Sequence, residues 1–233
     1  MKSTLLALMV AAISCITGCG GLHVAPKLAQ DAMHVEPTVV FMGDSITFNY
    51  GQSWASTAFS EHPTWTDAGV VGDDSGQMVD RFATAVVALH PAVVVILAGT
   101  NDVYPSWVFD GGLANWNTVQ NIAYMVGVAR AAGIQPILAT IPPWGCPESN
   151  CALAEAKDGS QARYARIDAL NSWIKAYGAQ QGLIVIDYHS ALVSVDGQTY
   201  VPDLTIDGVH PTPAGYDLMT PMVEDAITAT ESK

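Results

Sequence analysis

Short, uninterrupted apolar runs recur along this chain with helical stripes between them. Thr38-Val39-Val40-Phe41-Met42 ends at Gly43, and Ala92 to Ala98, Gln135 to Ile141 and Leu183 to Ile186 have the same character. A strand wetted on one face alternates apolar and polar residues, whereas a strand covered on both faces does not. Four parallel strands are therefore expected, and Ala68 to Val71 is a candidate fifth. Between them Val79, Phe82, Val86 and Leu89, then Val119, Ile122, Val126 and Ala129, then Ile167, Leu170, Ile174 and Tyr177 recur every three or four residues. That spacing puts each set on one face of an amphipathic helix. Gly133 and Gly182 follow the second and third stripes, where a left-handed cap ends a helix. Thr212-Pro213 reads as a cap and first residue opening a last helix to about Thr230, with Pro221 expected to kink or split it. Strands alternating with helices give an α/β fold, a three-layer α/β/α sandwich around a mainly parallel central sheet. In such sheets ligands bind beyond the carboxyl ends of the strands, so chemistry is sought there.

The 233 residues suit a single core. Against 22 acidic residues there are only nine basic ones, a formal charge of -13, and no Lys/Arg cluster. Nucleic acid and polyphosphate partners are excluded on that balance, and the domain itself has little electrostatic attraction to anionic lipid. A monomer is expected.

The N-terminus points to export. Lys2 precedes an apolar run from Leu5 to Ile16, too short to span a bilayer and right for a signal peptide. Its end, Ile16-Thr17-Gly18-Cys19, resembles the lipobox of bacterial lipoproteins. The resemblance implies a signal peptide over 1–18, a lipidated Cys19, a tether over 19–36, and an exported bacterial lipoprotein facing the periplasm or cell exterior. An ordinary secretory leader with an incidental Cys is the alternative, and it too leads out of the cell. Cys15 leaves with the leader, so Cys146 and Cys151 are the remaining thiols, and in an oxidising compartment a disulfide between them is expected. Two Cys without nearby His or further Cys fall short of a zinc ligand set, so no metal is expected.

Three blocks stand at strand ends or near the C-terminus: Gly43-Asp44-Ser45-Ile46-Thr47, Ala98-Gly99-Thr100-Asn101-Asp102 and Asp207-Gly208-Val209-His210-Pro211. A serine just past a strand, behind a glycine that permits a tight turn, sits where a nucleophile should. Singly, each block also suits an ordinary side-chain-stabilised turn. Together, in this order, they resemble the GDSL or SGNH family of esterases and lipases, and the likeness covers nearly the whole chain beyond the tether. It implies an SGNH-hydrolase domain over 37–233 with the flavodoxin-like arrangement.

The resemblance also implies roles. Ser45 is the nucleophile, His210 the base and Asp207 the acid that orients it; Ser45, Gly72 and Asn101 form the oxyanion hole. In Val71-Gly72-Asp73-Asp74-Ser75-Gly76 a shifted turn would put Gly69 or Gly76 in place of Gly72. A serine hydroxyl becomes nucleophilic when an imidazole takes its proton, and the imidazole needs a carboxylate to hold its tautomer. No cofactor is required. The α/β-hydrolase alternative lacks its Gly-x-Ser-x-Gly elbow here, because Thr47 stands at the second glycine. Asp44 and Asp102 are read as turn residues, and the other five histidines as bystanders. Two long connections, Val103 to Trp116 and Pro142 to Gly159, bring Tyr104, Trp107, Phe109, Trp116 and Trp144, which either bind substrate or pack locally. A short acyl ester, an acetylated saccharide or a lysophospholipid all suit this machinery. The alternative is a tethered, non-catalytic carbohydrate- or lipid-binding module on the same fold.

If Cys19 is the anchor, Cys19→Ser moves the protein out of the membrane fraction, since a diacyl group supplies the two chains stable attachment needs. A chain starting near Glu36 is expected to be soluble and active on small esters. Fractionation with an ester assay checks both, and sedimentation of that shortened chain with membranes would mean that the domain binds lipid itself.

Overall fold

The computed structural model describes residues 38–103, 116–145 and 160–231. The expectations for the leader, the tether, Cys19, Cys146 and Cys151 lie outside those residues. The run after Thr38 forms β1 (Val39–Gly43), buried at all five positions. The others are β2 (Trp65–Gly69), β3 (Val93–Ile96), β4 (Gln135–Ala139) and β5 (Ile184–Ile186). They pair in the order β2-β1-β3-β4-β5, every pair parallel.

The fifth strand lies a few residues before the Ala68 to Val71 expected from sequence. Only Trp65 of β2 is fully buried, so this edge strand has no continuous apolar run by which to be seen. Apolar runs also outlast the ladder elsewhere. Leu97, Ala98 and Ile141 are buried beyond the ends of β3 and β4, where the chain turns into the site.

The helices are α1 (Ser45–Tyr50), α2 (Ala58–Glu61), α3 (Ser75–Ala85), α4 (Trp116–Ala131), α5 (Ser160–Gln181), α6 (Tyr188–Leu192) and α7 (Pro213–Glu231). α3 packs on α4 and α4 on α5, while α6 packs on α7. The stripe through Val86 and Leu89 is not one helix. α3 stops at Ala85, a single 3-10 turn follows over Val87–Leu89, and Leu89 ends exposed. Gly133 and Gly182 do take the left-handed conformation, at φ 75° and 65°.

Pro221 does not split the last helix, which runs unbroken from Pro213 to Glu231. The ring forfeits one backbone hydrogen bond. Tyr216 and Met219 before it and Val223, Ala226 and Ile227 after it are all buried, so both halves are held by the core. Tyr50 of α1 stacks on Tyr216 of α7 at 5.2 Å and meets Phe41 of β1 edge-on at 6.0 Å. These rings seat α1 and α7 on one another and on the middle of the sheet.

One contact fixes how closely α1 approaches β2. A Cβ on Gly69 would lie 2.2 Å from the Phe48 amide nitrogen and 2.7 Å from its Cα, so the strand end meets the helix backbone with no side chain between. Gly69→Ala is expected to displace α1, costing about 1–3 kcal/mol as overpacking does, and to lower activity as well. Gly133→Ala has open space around it and strains only φ, for about 1–2 kcal/mol without effect on activity. Denaturant unfolding of both, with activity measured well below the midpoint, tests the contrast.

Candidate active site

β1 stops at Gly43 and α1 starts at Ser45, so Asp44 alone makes the turn. Its Oδ1 accepts from the Ile46 amide at 2.9 Å and caps α1. Asp44 is fully buried, and burial pushes its carboxyl up to about 6 against the pull of that amide and the nearby Thr100 hydroxyl. The turn leaves Ser45 at the first helical position, 8% exposed, where its own N–H has no intrahelical partner.

The Ser45 hydroxyl lies 2.9 Å from His210 Nε2, and His210 Nδ1 lies 2.7 Å from Asp207 Oδ2. A carboxylate can only accept, so in neutral His210 the proton sits on Nδ1 and Nε2 is left to accept from Ser45. Asp207 Oδ1 takes the amides of Val209 and His210, each at 2.9 Å, which closes the Asp-x-x-His turn on itself. Gly208 within it needs a φ of 92°. The bond from Asp207 raises His210 above the ordinary imidazole value, against burial, and the charges of Asp207 and Asp44 add to that. Asp207 itself is held low. Burial opposes this, but the His210 ring, the two amides and the attraction of an imidazolium outweigh it.

The other residues expected to act stand in the turns after the two strands flanking β1. Gly72, in the turn after β2, is exposed at φ 84°, and among the described residues nothing accepts its N–H. Gly69 is unsuited to the same task because its N–H goes to Asp67 Oδ1 at 2.7 Å, and Gly76 is already inside α3. Asn101, after β3, donates from Nδ2 to the Asp73 carbonyl at 2.8 Å. A carbonyl acceptor fixes which end of the amide is nitrogen, and the second hydrogen on that nitrogen stays available. Ser45, Gly72 and Asn101 thus follow β1, β2 and β3, three neighbouring strands.

Several supports carry no signal in the sequence. The buried Tyr200 hydroxyl donates to the Val209 carbonyl at 2.8 Å, and the Gly145 amide to the Gly208 carbonyl at 2.7 Å, pinning the acid–base turn from two sides. The buried Tyr216 hydroxyl donates to the Ile46 carbonyl at 2.9 Å, tying α7 to the first turn of α1. Asp102 does more than make a turn: it accepts from the amide and hydroxyl of Ser75 and from the Thr118 hydroxyl, joining the β3 end to α3 and α4. Trp144 is buried under the Arg163 guanidinium, 4.6 Å from its ring centre, so it packs locally and is not a substrate platform. Of the other four connecting-loop aromatics, Trp116 opens α4, and Tyr104, Trp107 and Phe109 lie outside the described residues. Among the described residues, no three His, Cys, Asp or Glu side chains gather as a metal site would require.

Residues 41–218 match the model of the GDSL-like lipase/acylhydrolase family. A solved structure from Bacteroides fragilis is 32% identical, covering 89% of this chain and 97% of its own, at a TM-score of 0.70. A GDSL-like lipase from Bacteroides thetaiotaomicron is also 32% identical, covering 87% of this chain and 96% of its own, at 0.71. A catalytic mutant of an acetylxylan esterase from Geobacillus stearothermophilus shares the fold at 18% identity and 0.60, over 81% of this chain and 93% of its own. No curated protein sequence matches the chain.

The raised imidazole fixes a pH profile for a reaction in which neutral His210 takes the serine proton. Activity then falls with acid through a midpoint above the ordinary imidazole value of about 6.5. Asp207→Asn removes the main cause of the rise, so the midpoint of kcat/KM moves to lower pH while the plateau drops on the order of 10⁴-fold. An unmoved acid limb in that variant would show that Asp207 does not set the base.

Proposed function

Because the chain belongs to the GDSL-like lipase/acylhydrolase family, we propose that it is a serine hydrolase that cleaves carboxylic esters through an acyl-enzyme on Ser45. The observation that carries this is the unbroken relay Ser45 Oγ, His210 Nε2, His210 Nδ1, Asp207 Oδ2, with steps of 2.9 and 2.7 Å. Those are working distances for proton transfer before any substrate is bound.

His210 accepts the Ser45 proton as Oγ attacks the ester carbonyl, and Asp207 stabilises the imidazolium that forms. The carbonyl oxygen gains charge and is met by the Ser45 and Gly72 amides and the second Asn101 hydrogen, donors that need not reorganise. Collapse expels the alcohol, which receives its proton from His210. Water then enters, gives its proton to His210 and attacks the acyl carbon, and Ser45 leaves with that proton. Every step uses groups of this chain.

Apolar side chains adjoin these groups. Val71, 63% exposed, precedes Gly72, and Ile206, 55% exposed, precedes Asp207. They favour an uncharged acyl or alcohol part over a polyanionic one, in keeping with the acidic chain. Attachment through a lipidated Cys19 at a bacterial membrane, facing outward, belongs to the same proposal. It would present the site to esters outside the cell.

Ser45→Ala is expected to abolish hydrolysis of nitrophenyl esters while leaving the circular dichroism spectrum and unfolding midpoint nearly unchanged. Asn101→Ala is expected to lower kcat by roughly 10² to 10³ with little change in KM, the scale for one oxyanion donor. Assays across acyl lengths, beside acetylated saccharides and lysophospholipids, read both effects and rank the substrates. Full activity in Ser45→Ala would end the proposal, and an effect of Asn101→Ala on KM alone would make Asn101 a binding residue.

A further inference from the structure

Arg81, on α3, reaches past its own helix to three acceptors. Its Nε donates to Asp73 Oδ2 at 2.5 Å, Nη1 to the Ala68 carbonyl at 2.7 Å and Nη2 to the Gly43 carbonyl at 2.8 Å. The side chain is 21% exposed and that of Asp73 only 9%. Gly43 ends β1 two residues before Ser45, Ala68 stands near the end of β2, and Asp73 directly follows Gly72. Asp73 in turn offers its main-chain carbonyl to Asn101. One planar cation is therefore bonded, directly or through Asp73, to the segments carrying all three oxyanion donors.

A purely structural role would be to satisfy strand-end carbonyls, and that explains too little. The Gly43 carbonyl already accepts the Val70 amide at 3.1 Å. Gly72 has nothing within 4 Å of where a Cβ would sit, so no packing fixes its peptide. The direction of its N–H depends on its neighbours, chiefly Asp73, which is held by its amide to Val70, its carboxylate to Arg81 and its carbonyl to Asn101. A guanidinium is rigid and holds its donors in one plane, so it sets the relative positions of its acceptors, which a flexible ammonium cannot do.

We propose that Arg81 is a positioning residue for the oxyanion hole, holding the Ser45, Gly72 and Asn101 donors in mutual register through Gly43, Ala68 and Asp73. This rests on the serine-hydrolase reading above. Its consequence is selective: donors out of register weaken transition-state stabilisation and leave ground-state binding intact.

The test uses Arg81→Gln and Arg81→Lys in the full chain, with activity normalised to the folded fraction from thermal unfolding. Both are expected to lower kcat, Arg81→Gln by roughly 10- to 100-fold, with KM within about twofold of the parent. Inhibition by an alkyl boronic acid, which forms a tetrahedral adduct, should weaken in step with kcat/KM. Because Arg81 acts through the donors, Arg81→Gln should cost far less in the Asn101→Ala background than alone. Unchanged kcat per folded molecule, or a penalty that multiplies fully with that of Asn101→Ala, overturns the assignment and leaves Arg81 a stabilising residue. Labelling of Ser45 by an alkyl phosphonate separates the two readings. A labelled, ester-cleaving parent with indifferent Arg81 variants sinks only the positioning role, whereas a parent that neither labels nor cleaves sinks both.

Discussion

β1 lies between β2 and β3, and everything at the site follows from that adjacency. The chain leaves β1, pairs β2 on one side of it and returns to place β3 on the other. At such a switch point neighbouring connections diverge and leave a crevice beyond the strand ends. Parallel neighbours stand about 4.8 Å apart, so the turns after the three strands are within reach of one small group. The register puts Gly43 opposite Gly69 and Met42 opposite Ile96, which brings the three turns level. A serine on the middle turn with donors on the flanking ones is what this order of strands permits.

Two kinds of fixation hold this arrangement. The acid–base turn is fixed locally, since Asp207 accepts from two amides within three residues and from the ring it orients. The donors are fixed at long range, by Asn101 to Asp73 across 28 residues and Arg81 to Gly43 across 38. Neither depends on exposed ion pairs, whose contributions are small. Both act among partly or fully buried groups, where an unmade hydrogen bond is costly.

How much of this could be read in advance follows the same division. The buried strands were legible because a strand covered on both faces must be apolar throughout, and Ser45, Asn101, Asp207 and His210 because short-range chemistry sits in short blocks. β2 was misplaced by a few residues because an edge strand need not be apolar. The α3 stripe ran too far because Val86 is buried in a turn as completely as it would be in a helix. Pro221 does not split α7 because the core holds both halves of the helix, which propensity alone does not register. Tyr200, Tyr216 and Arg81 left no trace, since a hydroxyl or guanidinium that serves a distant carbonyl needs no neighbour in sequence.

The Tyr216 hydroxyl on the Ile46 carbonyl, with the ring stack on Tyr50, joins positions 170 and 166 residues apart. The serine lies near one end of the folding unit and its base near the other, and α7 brings the two together. During synthesis the segment bearing Ser45 emerges first, and the proposed relay to His210 cannot close until the last helix docks. Long-range closure of this kind is slow to form and opens as a unit. The fold therefore has a built-in delay: the relay proposed for Ser45, His210 and Asp207 is complete only when the whole domain is.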